Sequence, residues 1–199
     1  MSSDTKEIVF LDIKTNGYDV GETVLSISAI KFEINKKTGI FKKIGDFTRY
    51  YSYKNNEPEK FLDFHGLSKV KLAQKRKDSL RNTQESYSDD FNSDFIELFN
   101  FCGQNEYFVG LNIKRWGGFI QFPLAKQYDL MYEGINVTKL EGNWKGHKYP
   151  QLYDCVKFFD LAYTWDDISD SYLSALATAE IFMNFLKLKV VSALDFLES

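Results

Sequence analysis

The spacing of hydrophobic and polar positions changes several times along the chain, and each change marks an element. Residues 7–13, EIVFLDI, form a short, mostly apolar run suited to a buried strand. From Thr23 to Asn35, TVLSISAIKFEIN alternates well enough for a second strand, and NKKTG supplies turn residues before a third, IFKKIGDFTRYYSY. Together they read as an antiparallel meander. In FHGLSKVKL, Ser68 is placed to cap a helix that carries the basic segment after it. Phe91, Phe95, Leu98, Phe99 and Cys102 recur at helical spacing, so DDFNSDFIELFNFC is expected to be an amphipathic helix packed on the sheet. YFVGLNI, residues 107–113, reads as one more short strand.

Pro150 is expected in the first turn of a helix whose Leu152, Cys155, Val156 and Phe159 share a face. A last long helix is expected from about Ser171 to Lys189, burying Leu173, Leu176, Ala177, Ile181, Phe185 and Leu188. This order makes an α/β layer fold with a mixed sheet.

The length of 199 residues suits one core, read as a single domain over 7–190 with a tail at 1–6 and an extension at 191–199. No apolar run approaches the roughly 18 residues needed to span a bilayer, and MSSDTKE lacks the features of a signal peptide. An intracellular, cytoplasmic protein without membrane contact is expected. Cys102 and Cys155 lie far apart without paired spacing, which argues for buried, reduced thiols rather than a disulfide framework or a zinc site. The Asn136-Val-Thr138 sequon reads as a chance occurrence.

A net charge of −3 gives no global attraction for polyanions. The sign is uneven, however. KVKLAQKRKDSLR, Lys69 to Arg81, is strongly basic, while Glu85 to Glu97 is acidic. The basic run reads as a solvated helix face, with a phosphate-tracking patch as the alternative.

The order of these pieces resembles the DnaQ-like, or DEDDh, 3′-to-5′ exonuclease family of the ribonuclease H-like superfamily. The family's Asp-x-Glu-Thr-x-Gly is here Asp12-Ile13-Lys14-Thr15-Asn16-Gly17, and HGLS at His65 to Ser68 resembles its His-Gly-Ile/Leu-Ser/Thr loop. FVGLNIKRWGGFI resembles Val-x-His-Asn-x-x-Phe-Asp, with Leu111 for a common His and Trp116 where a metal-binding Asp is expected. YPQLYDCVKFFDL is similar to the family's Pro-x-Leu helix. Aligning SDSYLSALATAEIF with the last motif puts Ser169 at the catalytic His and Ser174 at the final Asp; a second register puts Leu173 and Thr178 there.

The resemblance implies a ribonuclease H-like exonuclease fold, a mixed central sheet with a three-stranded antiparallel meander flanked by helices. It also implies a site that has lost its chemistry. The family's hydrolysis is similar to the two-metal scheme, and magnesium needs hard oxygen ligands. Of four expected acids, only Asp12 remains at its position. Lys14 adds a cation: a +1 charge about 4 Å from a +2 ion is repelled by about 8 kcal/mol at an effective dielectric of about 20. Asp12 and Lys14 point to one sheet face, so the ammonium is expected to substitute for the metal and neutralise Asp12.

No catalytic residue is therefore expected intact among Asp12, Lys14, Trp116, Ser169 and Ser174, and no metal or other cofactor is expected. Trp116 reads as filler of the vacated space, with a base-stacking platform as the alternative. Ser169 and Ser174 read as capping or packing residues, with a phosphate contact as the alternative. His65 reads as part of the structural loop and His147 as part of the turn GNWKGHKY, so neither is the missing general base. A weak Mg²⁺ or Mn²⁺ site rebuilt from Asp12 and Asp170, with Asp166 or Asp167 swinging inward, is the competing arrangement.

The favoured function is a catalytically dead exonuclease-like module that binds single-stranded nucleic acid, a nucleoprotein complex or a protein partner. Candidate nucleic-acid contacts are Thr15, Asn16, His65, Lys75, Arg76, Lys77 and Asn112. A divergent active metal-dependent exonuclease and a pure protein scaffold are the alternatives, and a homodimer is compatible with either.

Overall fold

A computed structural model describes residues 4–19, 21–54, 57–83, 86–120, 122–142 and 146–199. The start of the expected tail, the Glu85 end of the acidic run and positions 143–145 of the turn before His147 lie outside the described residues. Strands β1 (Thr5–Thr15), β2 (Val24–Asn35) and β3 (Phe41–Tyr50) form the expected antiparallel meander. Strands β4 (Tyr107–Gly110) and β5 (Lys126–Asp129) extend it in parallel with β1, giving the order β3-β2-β1-β4-β5. The central β1 is covered on both faces, so Ile8, Val9, Phe10 and Leu11 are all buried and the run is apolar rather than alternating. Thr5 and Lys6, expected in a tail, pair with Asn35 and Ile34 and belong to the strand.

One face of the sheet is covered by the long helix α8 (Ser171–Lys187), where Ala175, Ala177 and Ala179 sit beside Ile181, Phe182 and Phe185. Helices α6 (Leu152–Phe158) and α9 (Val191–Glu198) share that core, so residues expected as an extension contribute Ala193, Phe196 and Leu197 to it. The other face is covered by α3 (Phe91–Cys102) and α4 (Ile113–Trp116), through Phe91, Leu98, Cys102, Ile113 and Trp116. Helix α2 (Lys69–Thr83) buries little beyond Leu72, and its Ser68 Oγ accepts from the Lys71 N–H at 3.2 Å, the expected cap.

Several boundaries differ from the sequence reading. The strand expected over 107–113 stops at Gly110, where a side chain would meet the Leu11 carbonyl at 3.0 Å and Ile113 Cβ at 3.1 Å, so only glycine fits. Asn112 takes a left-handed backbone, φ 63°, and turns the chain into α4. Pro150 lies ahead of α6, which starts behind Gln151. Phe99 and Leu188, expected in the core, are 45% and 59% exposed. Phe99 packs edge-on against Phe122, while Leu188 stands just past the end of α8. Leu173 and Leu176 are half-buried. Strand β5 and helix α5 (Leu130–Thr138) carried no clear pattern and are additions to the expected fold.

Cys102 and Cys155 are free and buried, and burial pushes both thiols up to about 12. Thr138 of the sequon is buried in α5. Among the described residues, no helix is long and apolar enough to cross a membrane.

Candidate functional site

The C-terminal end of β1 presents Asp12 and Lys14 on one face, with a register shift in the ladder after Lys14. Lys14 Nζ lies 3.0 Å from Asp12 Oδ2, and donates to Ser174 Oγ at 2.8 Å and to the Ile168 carbonyl at 3.0 Å. Two hydrogens of the ammonium are thus bonded, and the contact with Asp12 Oδ2, which accepts no hydrogen bond among the described residues, is an ion pair. Ser174 Oγ itself donates to the Ile168 carbonyl at 2.6 Å. The carbonyl comes from the last residue of the one-turn helix α7 (Trp165–Ile168), capped by Thr164 through Asp167. Burial pushes the Asp12 carboxyl above the ordinary carboxylate range, against the opposing pull of Lys14.

This donor set does not fit a pair of divalent ions. The Asp12 carboxylate is tied to an ammonium, and Ser174 and Ser169 offer neutral oxygens. Trp116 offers no oxygen at all. Among the described residues, no three acidic, histidine or cysteine side chains are grouped to hold a metal.

Around the pair opens a cleft of about 430 Å³. It is lined by Asp12, Lys14, Thr15, His65, Asn112, Trp116 and Ser169, so seven residues singled out from the sequence converge there. His65 ends the short helix α1 (Leu62–His65), and Gly66 follows at φ 61°, a left-handed C-cap whose N–H reaches the Leu62 carbonyl at 2.7 Å. The turn aims the imidazole: Nδ1 accepts from the Leu67 N–H at 3.0 Å, which leaves the proton on Nε2. Burial, together with the positive charges of Lys14 and Lys71, holds His65 down at about 4. His65 Nε2 and Trp116 Nε1 are buried without a hydrogen-bond partner among the described residues.

The walls are aromatic in a way the motifs did not announce. Tyr18, Phe61, Tyr149, Tyr153 and Trp165 surround the opening, and Tyr18, Tyr149 and Trp165 are 58%, 53% and 41% exposed. Arg115 donates to the Gly17 carbonyl at 2.8 Å, and its guanidinium lies 4.6 Å from the Tyr18 ring centre. It thereby bridges the β1 and α4 sides of the cleft. These residues are far apart in sequence, and no local period links them.

Other expected site residues are employed elsewhere. Asn16 is buried, its amide donating to the Pro58 carbonyl at 2.8 Å and accepting from Lys60 N–H at 2.9 Å, so it ties down a loop instead of facing a ligand. Arg76 donates to the carbonyls of Tyr50, Ser88 and Tyr87 at 2.8 Å each and pairs with Asp89 at 2.6 Å; it is a structural clamp. Lys75 pairs with Asp170 at 2.5 Å, and Lys77 is exposed on α2. The basic run is therefore no single phosphate patch, and none of these three side chains lines the cleft.

Asp170 does not rebuild a metal site with Asp12. Its Oδ1 caps α8 by accepting from the N–H groups of Tyr172 and Leu173, and its Oδ2 accepts from Tyr50 Oη at 2.6 Å and from Lys75. Asp167 caps α7 at the surface and Asp166 is exposed, and neither acid lines the cleft. In the second register of the last motif, Thr178 bonds back to the Ser174 carbonyl within the helix, and Leu173 lines a different groove. His147 stands exposed beside Glu141.

The sheet order, the covering helices and the cleft at the end of β1 define a ribonuclease H-like exonuclease fold. Cell-death related nuclease 4 matches with a TM-score of 0.57 and 16% identity over 94% of this chain and 64% of that one. E. coli exonuclease I in complex with a dA16 oligonucleotide matches at 0.64 and 12%, over 96% of this chain and 43% of that one. The nuclease domain of 3′hExo, a DEDDh family member bound to rAMP, matches at 0.50 and 15%, over 94% of both chains. The chain thus spans less than two thirds of the first two structures. No family model and no curated protein matches the sequence. At these identities the likeness is one of fold.

Proposed function

We propose that this chain is a non-catalytic exonuclease-type domain whose cleft binds the 3′ end of single-stranded nucleic acid without divalent metal. One observation carries the reading: the Lys14 ammonium donates to Ser174 Oγ and the Ile168 carbonyl and lies 3.0 Å from Asp12 Oδ2 as an ion pair. An ammonium held there neutralises Asp12 and repels a cation that would enter. His65 cannot serve as the missing base either, since its Nδ1 lone pair is occupied by Leu67 N–H and its Nε2 carries the proton.

The binding half of the proposal rests on the walls. Exposed rings at Tyr18, Tyr149 and Trp165 offer stacking surfaces that any base can use. The two buried N–H groups of His65 and Trp116 are donors for acceptor atoms of a sugar or a base. Compared structures hold a dA16 oligonucleotide and rAMP, which supports a nucleotide as occupant of this fold's cleft.

The test uses labelled single-stranded DNA and RNA in EDTA and in Mg²⁺ or Mn²⁺. Binding on the order of 1–100 μM at low salt, equal with and without metal and accompanied by no cleavage, is expected. Metal ions leave the melting temperature unchanged, because nothing specific to the folded state binds them. Lys14→Glu alone creates no magnesium-dependent cleavage. Nucleotide release by the purified wild-type chain replaces this reading with a divergent active exonuclease, and absence of any oligonucleotide binding at low salt replaces it with a protein scaffold.

A further inference from the structure

Strand β3 is an edge of the sheet, and no other strand among the described residues pairs with its outer side. Such an edge presents unpaired main-chain donors and acceptors to any extended segment that fits. Its two ends are managed differently. Lys42 and Lys43 stand exposed at the start, as charges that blunt an edge do; at the far end Arg76 takes the Tyr50 carbonyl, Tyr87 Oη the Tyr50 N–H and Arg49 the Thr48 carbonyl, so the outer main-chain groups around Asp46 and the Thr48 N–H remain for a partner. Between them, Asp46 to Tyr50 line a groove of about 1240 Å³ that runs from α2 and α3 over the edge to the start of α8. It shares no lining residue with the cleft.

The charge of the groove narrows its occupant. Its lining contains five carboxylates against Arg49 and Lys75. The two cations are already matched, Arg49 with Asp94 at 4.0 Å and Lys75 with Asp170 at 2.5 Å. Asp78 on α2 and Glu97 on α3 are exposed across the groove, while Asp46 on the edge strand is paired with Lys43 at 2.5 Å. That acidic excess repels the phosphates of a nucleic acid. A second copy of this chain is disfavoured for the same reason, since it would bring another acidic wall and another net charge of −3.

We infer that this groove receives an extended, lysine- or arginine-bearing segment of a partner protein, which adds a strand to β3. Main-chain hydrogen bonds to the edge supply affinity, and the carboxylates of Asp78 and Glu97 select basic side chains. The site is independent of the nucleic-acid reading of the cleft.

The probe is a fluorescein-labelled peptide alternating lysine with valine, titrated against the full chain by anisotropy and by hydrogen exchange at low salt. Three controls accompany it: the same peptide with glutamate for lysine, the same peptide interrupted by a central proline, and oligothymidine. Binding of the lysine peptide alone is expected, with slowed exchange at the outer amides of Asp46 and Thr48. The proline peptide keeps its charge but loses the strand, so it binds weakly. The double variant Asp78→Lys, Glu97→Lys, on exposed positions, lowers affinity by roughly tenfold without changing the melting temperature. Tyr149→Ala, at an exposed position on the cleft wall, leaves peptide binding unchanged. Equal affinity for the glutamate or the proline peptide, binding of oligothymidine in the groove, indifference to the charge reversal, or protection away from β3 overturns the inference.

Discussion

Two buried aspartate–lysine pairs stand at the end of the central strand and at the start of α8, and burial acts on them with opposite results. Asp12 has Lys14 at 3.0 Å, and desolvation still wins, so its carboxyl is raised. Asp170 has Lys75 at 2.5 Å, and there the donors win over burial, so its carboxyl is lowered. The difference lies in how many hydrogen bonds reach the charge. Asp170 accepts from Lys75, Tyr50 Oη and two helix N–H groups, whereas the Asp12 pair directs most of its ammonium hydrogens to Ser174 and Ile168. One pair is a structural joint between β3, α2 and α8. The other is a plug in a cleft.

Breaking the joint has the largest expected effect. Asp170→Ala uncaps α8 and leaves Lys75 and Tyr50 Oη without their acceptor, costing about 4 kcal/mol in urea denaturation. A loss below about 1 kcal/mol would show that the pair is incidental to the fold.

Breaking the plug comes next. Lys14→Ala leaves Asp12 buried without a counter-charge and costs about 3 kcal/mol at neutral pH, less in acid where Asp12 takes up a proton. Replacing both partners, Asp12→Asn with Lys14→Met, recovers stability to within about 1 kcal/mol of wild type. If the double variant is no better than Lys14→Ala, the interaction is not between these two side chains.

His65 sharpens the comparison through pH. Its folded value of about 4 lies below the ordinary 6.5, so between those values the unfolded chain binds the extra proton. Stability from this group is therefore complete above 6.5 and lost as pH falls toward about 4. Between pH 7 and pH 5 it accounts for about 2 kcal/mol, read as the extra slope of wild type over His65→Phe in urea titrations. Parallel curves for the two proteins would place the imidazole in solvent.

The smallest effect is expected at the exposed neighbour of the clamp. Lys77→Glu changes oligonucleotide affinity by less than about twofold, whereas a basic patch tracking phosphates would lose several-fold and flatten the salt dependence.

The meander was legible because β1 and β2 carry long β-type runs bounded by turn residues, and α3 and α6 because their apolar positions recur at helical spacing. Strand β5 was not, since KQYD is four residues with one apolar side chain, and a strand that short has no period to read. Phe99 looked like core by spacing and faces Phe122 at the surface, because spacing names a face without saying how wide the neighbour covering it is. Arg76 and Lys77 are adjacent in one basic run, yet one is a half-buried clamp and the other is exposed. Charge counted along a sequence carries no information on which helix face meets a carbonyl.

Residue identity, set against the motifs the chain resembles, led to the expectation that carboxylates are missing from three of four positions and that a lysine stands beside the fourth. That follows from chemistry no fold can alter, because a tryptophan or a serine cannot become an anion. Where the Lys14 ammonium goes was decided by tertiary structure: Asp12 is two residues away, but Ser174 and the Ile168 carbonyl arrive only when α7 and α8 pack across the end of β1. The acidic groove on β3 likewise exists only in the fold, since its carboxylates come from strands and helices that are distant in sequence and share no local pattern.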